Sequence, residues 1–130
     1  MGLLERIFGP PKRLPLHIHE DNFATEVLRS KVPVVIDIWA PNQRASKQLE
    51  PIMVRLATDY HERVKVCELN AVSAPRAAAR LKVRDLPTVV YLRPRGREAD
   101  RVVGLRSSLY HEEAIAELFE IPKRPNDEQS

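Results

Sequence analysis

A chain of 130 residues in which 43% of the side chains are hydrophobic and 30% are charged has the length and composition of one globular domain, and differs from disordered or membrane-spanning sequences. Its formal net charge of +3 is too small to indicate nucleic-acid binding by itself. The single cysteine, Cys67, excludes an internal disulfide and a cysteine-based zinc site, and is typical of a reducing compartment. Because Glu5 and Arg6 interrupt the apolar N-terminus, a signal peptide is not expected, and we predict a cytoplasmic protein.

Both ends of the chain differ in composition from its middle. Residues 1–14 combine a short apolar cluster with Gly9, Pro10 and Pro11, which end any helix begun there. We expect this leader to fold back on the domain or to be disordered, the alternative being that it docks on a membrane or a partner. Residues 121–130 form a polar, proline-containing tail that we expect to be disordered. The predicted domain therefore comprises residues 15–120.

The first part of this domain alternates strands with helices. Residues 14–18 alternate in polarity, which predicts a strand, and Asp21 or Asn22 can cap a helix that runs to about Arg29. Residues 32–39 are almost continuously apolar, which is typical of a strand buried on both faces at the centre of a sheet. A helix over 45–61, with a kink expected at Pro51, a strand over 64–69 and a helix over 74–81 follow.

The second part predicts a hairpin and a final helix. Residues 88–92 form an apolar strand, 95–97 a turn and 101–103 a short strand. Ser107 or Ser108 is suited to cap a last helix that runs through Phe119. The whole order predicts an α/β fold with a mixed sheet covered on both faces.

Several separated motifs then occur in the order and spacing of the thioredoxin family, which the sequence resembles. They are residues 34–40 (VVIDIWA), Lys47, residues 49–52 (LEPI), residues 83–88 (VRDLPT), Gly96 and residues 103–104 (VG). The resemblance covers residues 15–119. It implies a thioredoxin fold, with a central mixed β-sheet of about five strands flanked by about four helices.

The redox motif of that family is degenerate in this sequence. Aligned on Trp39, Ala40 and Lys47, the chain has QRAS in place of CGPC, so that Gln43 and Ser46 occupy the positions of the two cysteines. Disulfide exchange requires a thiolate, and no histidine near Ser46 in the sequence suggests an activated serine. We therefore predict that the chain is not an enzyme and needs no cofactor or metal. The alternative is a thiol–disulfide oxidoreductase of the thioredoxin family, acting in cell redox homeostasis.

What the resemblance leaves intact is a binding groove. Pro87 matches the family's cis-proline, beside which thioredoxins pair with an extended peptide of a partner. By resemblance, the groove comprises Trp39, Asn42, Gln43, Arg44, Ser46, Leu86, Pro87, Thr88, Gly104 and Leu105. We predict a redox-inactive protein- or peptide-binding module of co-chaperone type. Its cationic rim of Arg44, Lys47, Arg84 and Arg106 favours acidic or extended segments.

The remaining polar residues are assigned mainly structural roles. Asp37 matches the family's buried carboxylate, and without a thiol to deprotonate we interpret it as a retained polar group whose pKa is raised by burial. Cys67 lies in an apolar strand and is predicted to be a core residue. His17 and His19 lack a third metal ligand, and His61 and His111 are predicted to lie on the surface. The basic stretch 76–106 presents a basic surface, but aromatic residues are sparse, and no nucleic-acid partner is expected.

Overall fold

The computed structural model describes residues 2–123, so most of the predicted tail, residues 124–130, lies outside the described residues. The four α-helices are α1 (Leu3–Phe8), α2 (Arg44–Asp59), α3 (Pro75–Arg80) and α4 (Ser108–Phe119). The five strands are β1 (Leu16–Ile18), β2 (Val34–Trp39), β3 (Lys65–Asn70), β4 (Thr88–Arg93) and β5 (Arg97–Val103). A π-helical turn (Ala24–Leu28) precedes β2, and a 3-10 turn (Pro94–Gly96) joins β4 to β5.

The strands form one mixed sheet in the order β1-β3-β2-β4-β5. β1 and β2 both run parallel to β3, whereas β4 is antiparallel to β2 and to β5. The predicted α/β architecture is confirmed. The apolar run of 34–39 is the central strand of this order, and its residues are therefore buried on both faces of the sheet.

Side chains of the sheet alternate between two hydrophobic layers, as the period of two in a strand requires. Val34, Ile36 and Ile38 pack with α3 and the π-helical turn. Val35 packs on the other face with α2 and α4. Because Asp37 and Trp39 have the same parity as Val35, they belong to the face that α2 covers.

Three elements differ from their predictions for local reasons. The helix expected after β1 is a short π-helical turn, in which the Arg29 N–H donates to the Ala24 carbonyl at 2.9 Å, and the Asn22 carboxamide accepts from the His19 N–H at 2.8 Å. β5 begins at Arg97 rather than 101, because its charged residues also pair with β4, in a ladder that contains a β-bulge between Tyr91 and Leu92. α2 is assigned as one helix through Pro51.

The two ends of the chain behave differently from one another. α1 has no buried residue, and its four apolar side chains are 61–78% exposed, whereas at the end of the leader the Arg13 backbone hydrogen-bonds the Thr58 hydroxyl of α2. In contrast, Ile121 packs against the α2–α4 core, and the Arg63 guanidinium donates to the Pro122 and Lys123 carbonyls. No helix within residues 2–123 is long and apolar enough to cross a membrane.

Candidate functional site

The candidate site lies at the end of the sheet where β2 ends and α2 begins. Ile38 of β2 pairs with Thr88 of β4, and Thr88 pairs with Val103 of β5. This register places the Trp39–Ser46 segment, the residues before β4 and the residues after β5 at the same sheet end. The fold thus gathers there the residues that the resemblance assigned to the groove.

Gln43 and Ser46 meet at the N-terminus of α2. Gln43 is the exposed N-cap residue with an extended backbone, and Ser46 lies in the first turn and is buried. The Ser46 hydroxyl donates to the Gln43 carboxamide oxygen at 3.5 Å. Asn42 before them has a positive φ of 65°, and Arg44 begins the helix as an exposed side chain. A carboxamide and a hydroxyl therefore meet at the helix terminus, where the resemblance places two cysteines.

The thiol of Cys67 lies away from this helix terminus, in a different chemical environment. Cys67 packs in the core layer opposite α2 and is fully buried. Burial raises the pKa of its thiol to about 12, because a thiolate is poorly stabilised in apolar surroundings. The structure gives Cys67 the surroundings of a core residue.

The loop before β4 forms the other side of the site. The Leu86–Pro87 peptide bond is cis, and the Pro87 carbonyl accepts from the Gly104 N–H at 2.8 Å. Gly104 has a φ of +90°, a conformation that glycine adopts without steric cost. The Thr88 hydroxyl donates to the Asp85 carbonyl at 2.6 Å. Within residues 2–123, the backbone N–H and C=O of Leu86 make no hydrogen bond, and Leu86 itself is half-buried.

Trp39 extends away from this loop, toward β3. Its indole N–H donates to Oε1 of Glu68 at 2.7 Å, and Oε2 of the same carboxylate lies 2.6 Å from Nδ1 of His17. The members of the predicted groove therefore divide around the end of β2. Trp39 is on the β3 side, while Leu86, Pro87, Thr88, Gly104 and Leu105 are on the β4 and β5 side.

Asp37 lies beneath the N-terminal part of α2 and is only 3% exposed. Desolvation raises the pKa of its carboxyl to about 7, and the charges of Glu68 and then Glu50 act in the same direction. Its Oδ1 atom is buried and has no hydrogen-bond partner among the described residues. Asp37 therefore changes its charge near neutral pH.

Charged residues of the basic stretch separate to the two ends of β4. Arg84 and Arg106 lie next to the loop before β4 and to Gly104, while Arg93, Arg95 and Arg97 flank the hairpin turn at the opposite end. Arg44 and Lys47 add to the site end from α2, and all four cations of the site end are exposed. None of these four is in an ion pair within the described part of the chain.

His111 is not on the surface, so that prediction is wrong. It is fully buried on the inner face of α4, where its Nδ1 lies 2.6 Å from the Tyr91 hydroxyl. Desolvation, with a smaller contribution from the charge of Arg106, lowers the pKa of His111 to about 4. An isolated histidine in a polar-looking helix sequence gave no signal of this burial.

Sequence reasoning also missed Glu68, which contacts Trp39 and His17 and faces Asp37. Glu68 is the register partner of Asp37 in the parallel β2–β3 pair. The available signal was the charge of Glu68, two positions from Val66, which packs on the α2 face. Only the register between β2 and β3 shows that two carboxylates are adjacent.

Comparison with known proteins gives one consistent result. The family model described as Thioredoxin matches residues 15–117. The thioredoxin of Acidithiobacillus ferridurans is 31% identical over 90 residues, which are 69% of this chain and 83% of the relative. The thioredoxin of Thiocapsa roseopersicina is 34% identical over 66% of this chain and 94% of its own length. Thioredoxin 1 of Synechococcus elongatus is 32% identical, over 67% and 80% respectively.

These relatives correct one prediction made from the sequence. The chain was expected not to be an enzyme because Gln43 and Ser46 replace the two cysteines. Its relatives are named thioredoxins, and thioredoxins are oxidoreductases, so the relationship favours an enzyme and the expectation is wrong on this comparison.

Proposed function

Because this chain belongs to the thioredoxin family, we propose that it binds an extended segment of a partner protein beside Pro87, as a binding module of co-chaperone type. The observation that carries the proposal is the unpaired backbone of Leu86. Its N–H and C=O have no hydrogen-bond partner within residues 2–123, and an extended peptide satisfies both groups by adding a strand.

The neighbouring residues support this role by holding the loop still and leaving it accessible. The Gly104 N–H binds the Pro87 carbonyl, and the Thr88 hydroxyl binds the Asp85 carbonyl, so both flanks of Leu86 are fixed. A preorganised loop lowers the entropic cost of binding. Leu105, 37% exposed, supplies an apolar contact next to Gly104.

The charge of the rim indicates which segments bind best. Arg84 and Arg106 flank the loop, and Arg44 lies at the start of α2, all exposed and without carboxylate partners in the described structure. Exposed cations accelerate the encounter with anionic partners, and this electrostatic attraction weakens as the salt concentration rises. We propose a partner segment that carries acidic side chains.

The test is an NMR titration of the full chain with a short peptide in which Glu alternates with Val, compared with the same peptide carrying Gln for Glu. We expect the amide signals of Leu86, Thr88, Gly104 and Leu105 to shift, more strongly with the Glu peptide. Arg84→Gln should weaken binding several-fold, whereas Arg97→Gln, at the other end of β4, should not. Shifts confined to the Arg93–Arg97 end would overturn the proposal.

A second candidate function, thiol–disulfide oxidoreductase, is favoured by the names of the relatives. Binding of a protein segment beside Pro87 is common to both candidates, so the difference lies in chemistry after binding. Reduction of insulin by the full chain with dithiothreitol, above the dithiothreitol background, would support this candidate. Loss of that turnover in Cys67→Ala would assign it to the Cys67 thiol.

The double variant Gln43→Cys with Ser46→Cys tests the scaffold directly. Two thiols at the N-terminus of α2, above Asp37, should produce insulin reduction, because a helix N-terminus lowers the pKa of a cysteine there. The matched control is Gln43→Ser with Ser46→Ala, which changes the same positions without adding sulfur. A folded double-cysteine variant with no more activity than this control would show that the site end has diverged from the family.

A further inference from the structure

A concave feature lies at the site end, on the β3 side of Trp39. It is a cavity of about 440 Å³ between α2, the ends of β2 and β3, and the segment before β1. We call it the carboxylate pocket, because Asp37, Glu50 and Glu68 all line it. Lys47 is the one cationic side chain among its lining residues in the described structure.

All three carboxylates line this one cavity. Asp37 and Glu68 are register partners on adjacent strands and share a sheet face, and Glu50 reaches the pocket from α2. Glu68 and Glu50 each repel the ionised form of Asp37. A cation placed among them would relieve this repulsion.

Independently of the cluster, Asp37 has a buried oxygen with no partner. Oδ1 of Asp37 accepts no hydrogen bond from any residue in 2–123, although Asp37 is only 3% exposed. Buried polar atoms in native proteins are almost always paired. A hydrogen-bond donor that enters from the pocket would satisfy this atom.

The walls of the pocket indicate what carries that donor. Leu14, Pro15, Met53 and Val54 line it together with the Trp39 ring, so an aliphatic chain can pack along them. No group of three His, Cys, Asp or Glu among the described residues is arranged to hold a metal ion. An apolar stem that ends in a compact cation with three N–H donors matches both the apolar walls and the unpartnered oxygen of Asp37.

We propose that the carboxylate pocket binds an alkylammonium group, the chemistry of a lysine side chain, with its stem on the apolar wall and its nitrogen at the unpartnered oxygen of Asp37, where the negative charges of Glu50 and Glu68 also attract it. The pocket shares Trp39, Asn42, Gln43 and Ser46 with the predicted groove, but none of the groove residues beside Pro87 lines it. The same group occurs in a lysine of a partner polypeptide and in a free aliphatic amine.

The experiment is an NMR titration of the full chain with Nα-acetyl-lysine amide, with the norleucine analogue as the neutral, isosteric control. We expect the lysine probe to shift the Trp39 indole N–H and the amide signals of Asp37 and Ser46, and to bind at least about tenfold more tightly than the norleucine probe. Equal binding of the two probes, or shifts confined to Leu86–Thr88 and Gly104, would overturn the proposal. A butylamine arm distinguishes the sources: binding as tight as that of the lysine probe assigns the pocket to free amines, and weaker binding assigns it to polypeptide lysines.

Two variants make the test specific. Glu68→Gln keeps an acceptor for Trp39 but removes one charge, and it should weaken lysine binding about tenfold, whereas Glu62→Gln, with an exposed side chain outside the pocket, should leave binding unchanged. In the wild type, binding should also lower the pKa of Asp37, measured by NMR. The charged groups that face Asp37 are Glu50, Glu68 and Lys47, with His17 behind Glu68. A folded Glu68→Gln protein that binds lysine like the wild type, or an Asp37 pKa unchanged by saturating probe, would refute the site.

Discussion

Replacing Asp37 by Asn should stabilise the fold relative to wild type by an amount that grows as the pH rises from 3.8 to about 7 and then levels off. The carboxyl of Asp37 has a pKa of about 7 in the folded chain and an ordinary value of 3.8. Between these values the folded state holds a proton that the unfolded state has lost. Stability contributed by the protonated form is therefore present below pH 3.8 and is lost as the pH rises through 7.

The magnitude follows from the width of this window. Each pH unit within it costs about 1.4 kcal/mol of unfolding free energy, so wild type should lose about 3 kcal/mol relative to Asp37→Asn between pH 5 and pH 8. The side chain is almost fully buried, so solvent screening reduces this figure little. The difference between the two proteins cancels the titration of His111, which the substitution leaves in place.

Urea unfolding of both proteins at intervals from pH 5 to pH 8, followed by circular dichroism, measures this difference. The matched control is Asp21→Asn, an exposed aspartate, for which the difference from wild type should stay constant with pH. The reasoning is refuted if the wild type and Asp37→Asn curves run parallel across the range, since Asp37 would then titrate at its ordinary pKa and be hydrated.

Three further predictions concern stability elsewhere in the chain. His111→Gln should make the stability less sensitive to acid. The pKa of His111 falls from 6.5 to about 4 on folding, so wild type should lose about 3 kcal/mol of unfolding free energy as the pH drops from 6.5 to 4. Thermal unfolding of both proteins at several pH values shows whether the stability of the variant depends less on pH. Ser107→Ala should cost about 1 kcal/mol, because the Ser107 hydroxyl accepts from the Tyr110 N–H at the start of α4; urea unfolding should find Ser108→Ala, outside the cap position, milder. Gly104→Ala should also cost about 1 kcal/mol, since its φ is +90° although a Cβ would meet nothing closer than 3.5 Å; Gly2→Ala, in open space, should be neutral in the same assay.

Local patterns in the sequence were sufficient to predict most of the fold. The apolar run ending at Trp39 could only be a strand covered on both faces, and the spacing of the motifs around Pro87 and Gly104 identified the family. β5 was predicted too short because its residues are mostly charged, and the ladder with β4 is stabilised by backbone pairing that composition does not report. The π-helical turn after β1 was missed because Asn22 uses its side chain on the His19 N–H instead of capping a helix.

The candidate site was harder to predict, because its chemistry depends on contacts between strands. Resemblance located the groove, but Glu68 became significant only when the register placed it beside Asp37. His111 likewise gave no pattern of its own, and its burial follows from packing against Tyr91. Pairwise contacts over long sequence separations are set by tertiary packing, which a single sequence encodes only indirectly.

The two proposed binding features have opposite charge, and this constrains how one segment could occupy both. On the β4 side, exposed Arg84 and Arg106 attract acidic side chains, while on the β3 side the carboxylate pocket attracts an ammonium group. A segment that bound in the reverse direction would bring its acidic side chains to Asp37 and Glu68, where like-charge repulsion and burial oppose them. For a segment that occupied both features, the charge asymmetry at the end of β2 would select direction as well as composition, a selectivity that the backbone groups of Leu86 cannot supply alone because they carry no side-chain information.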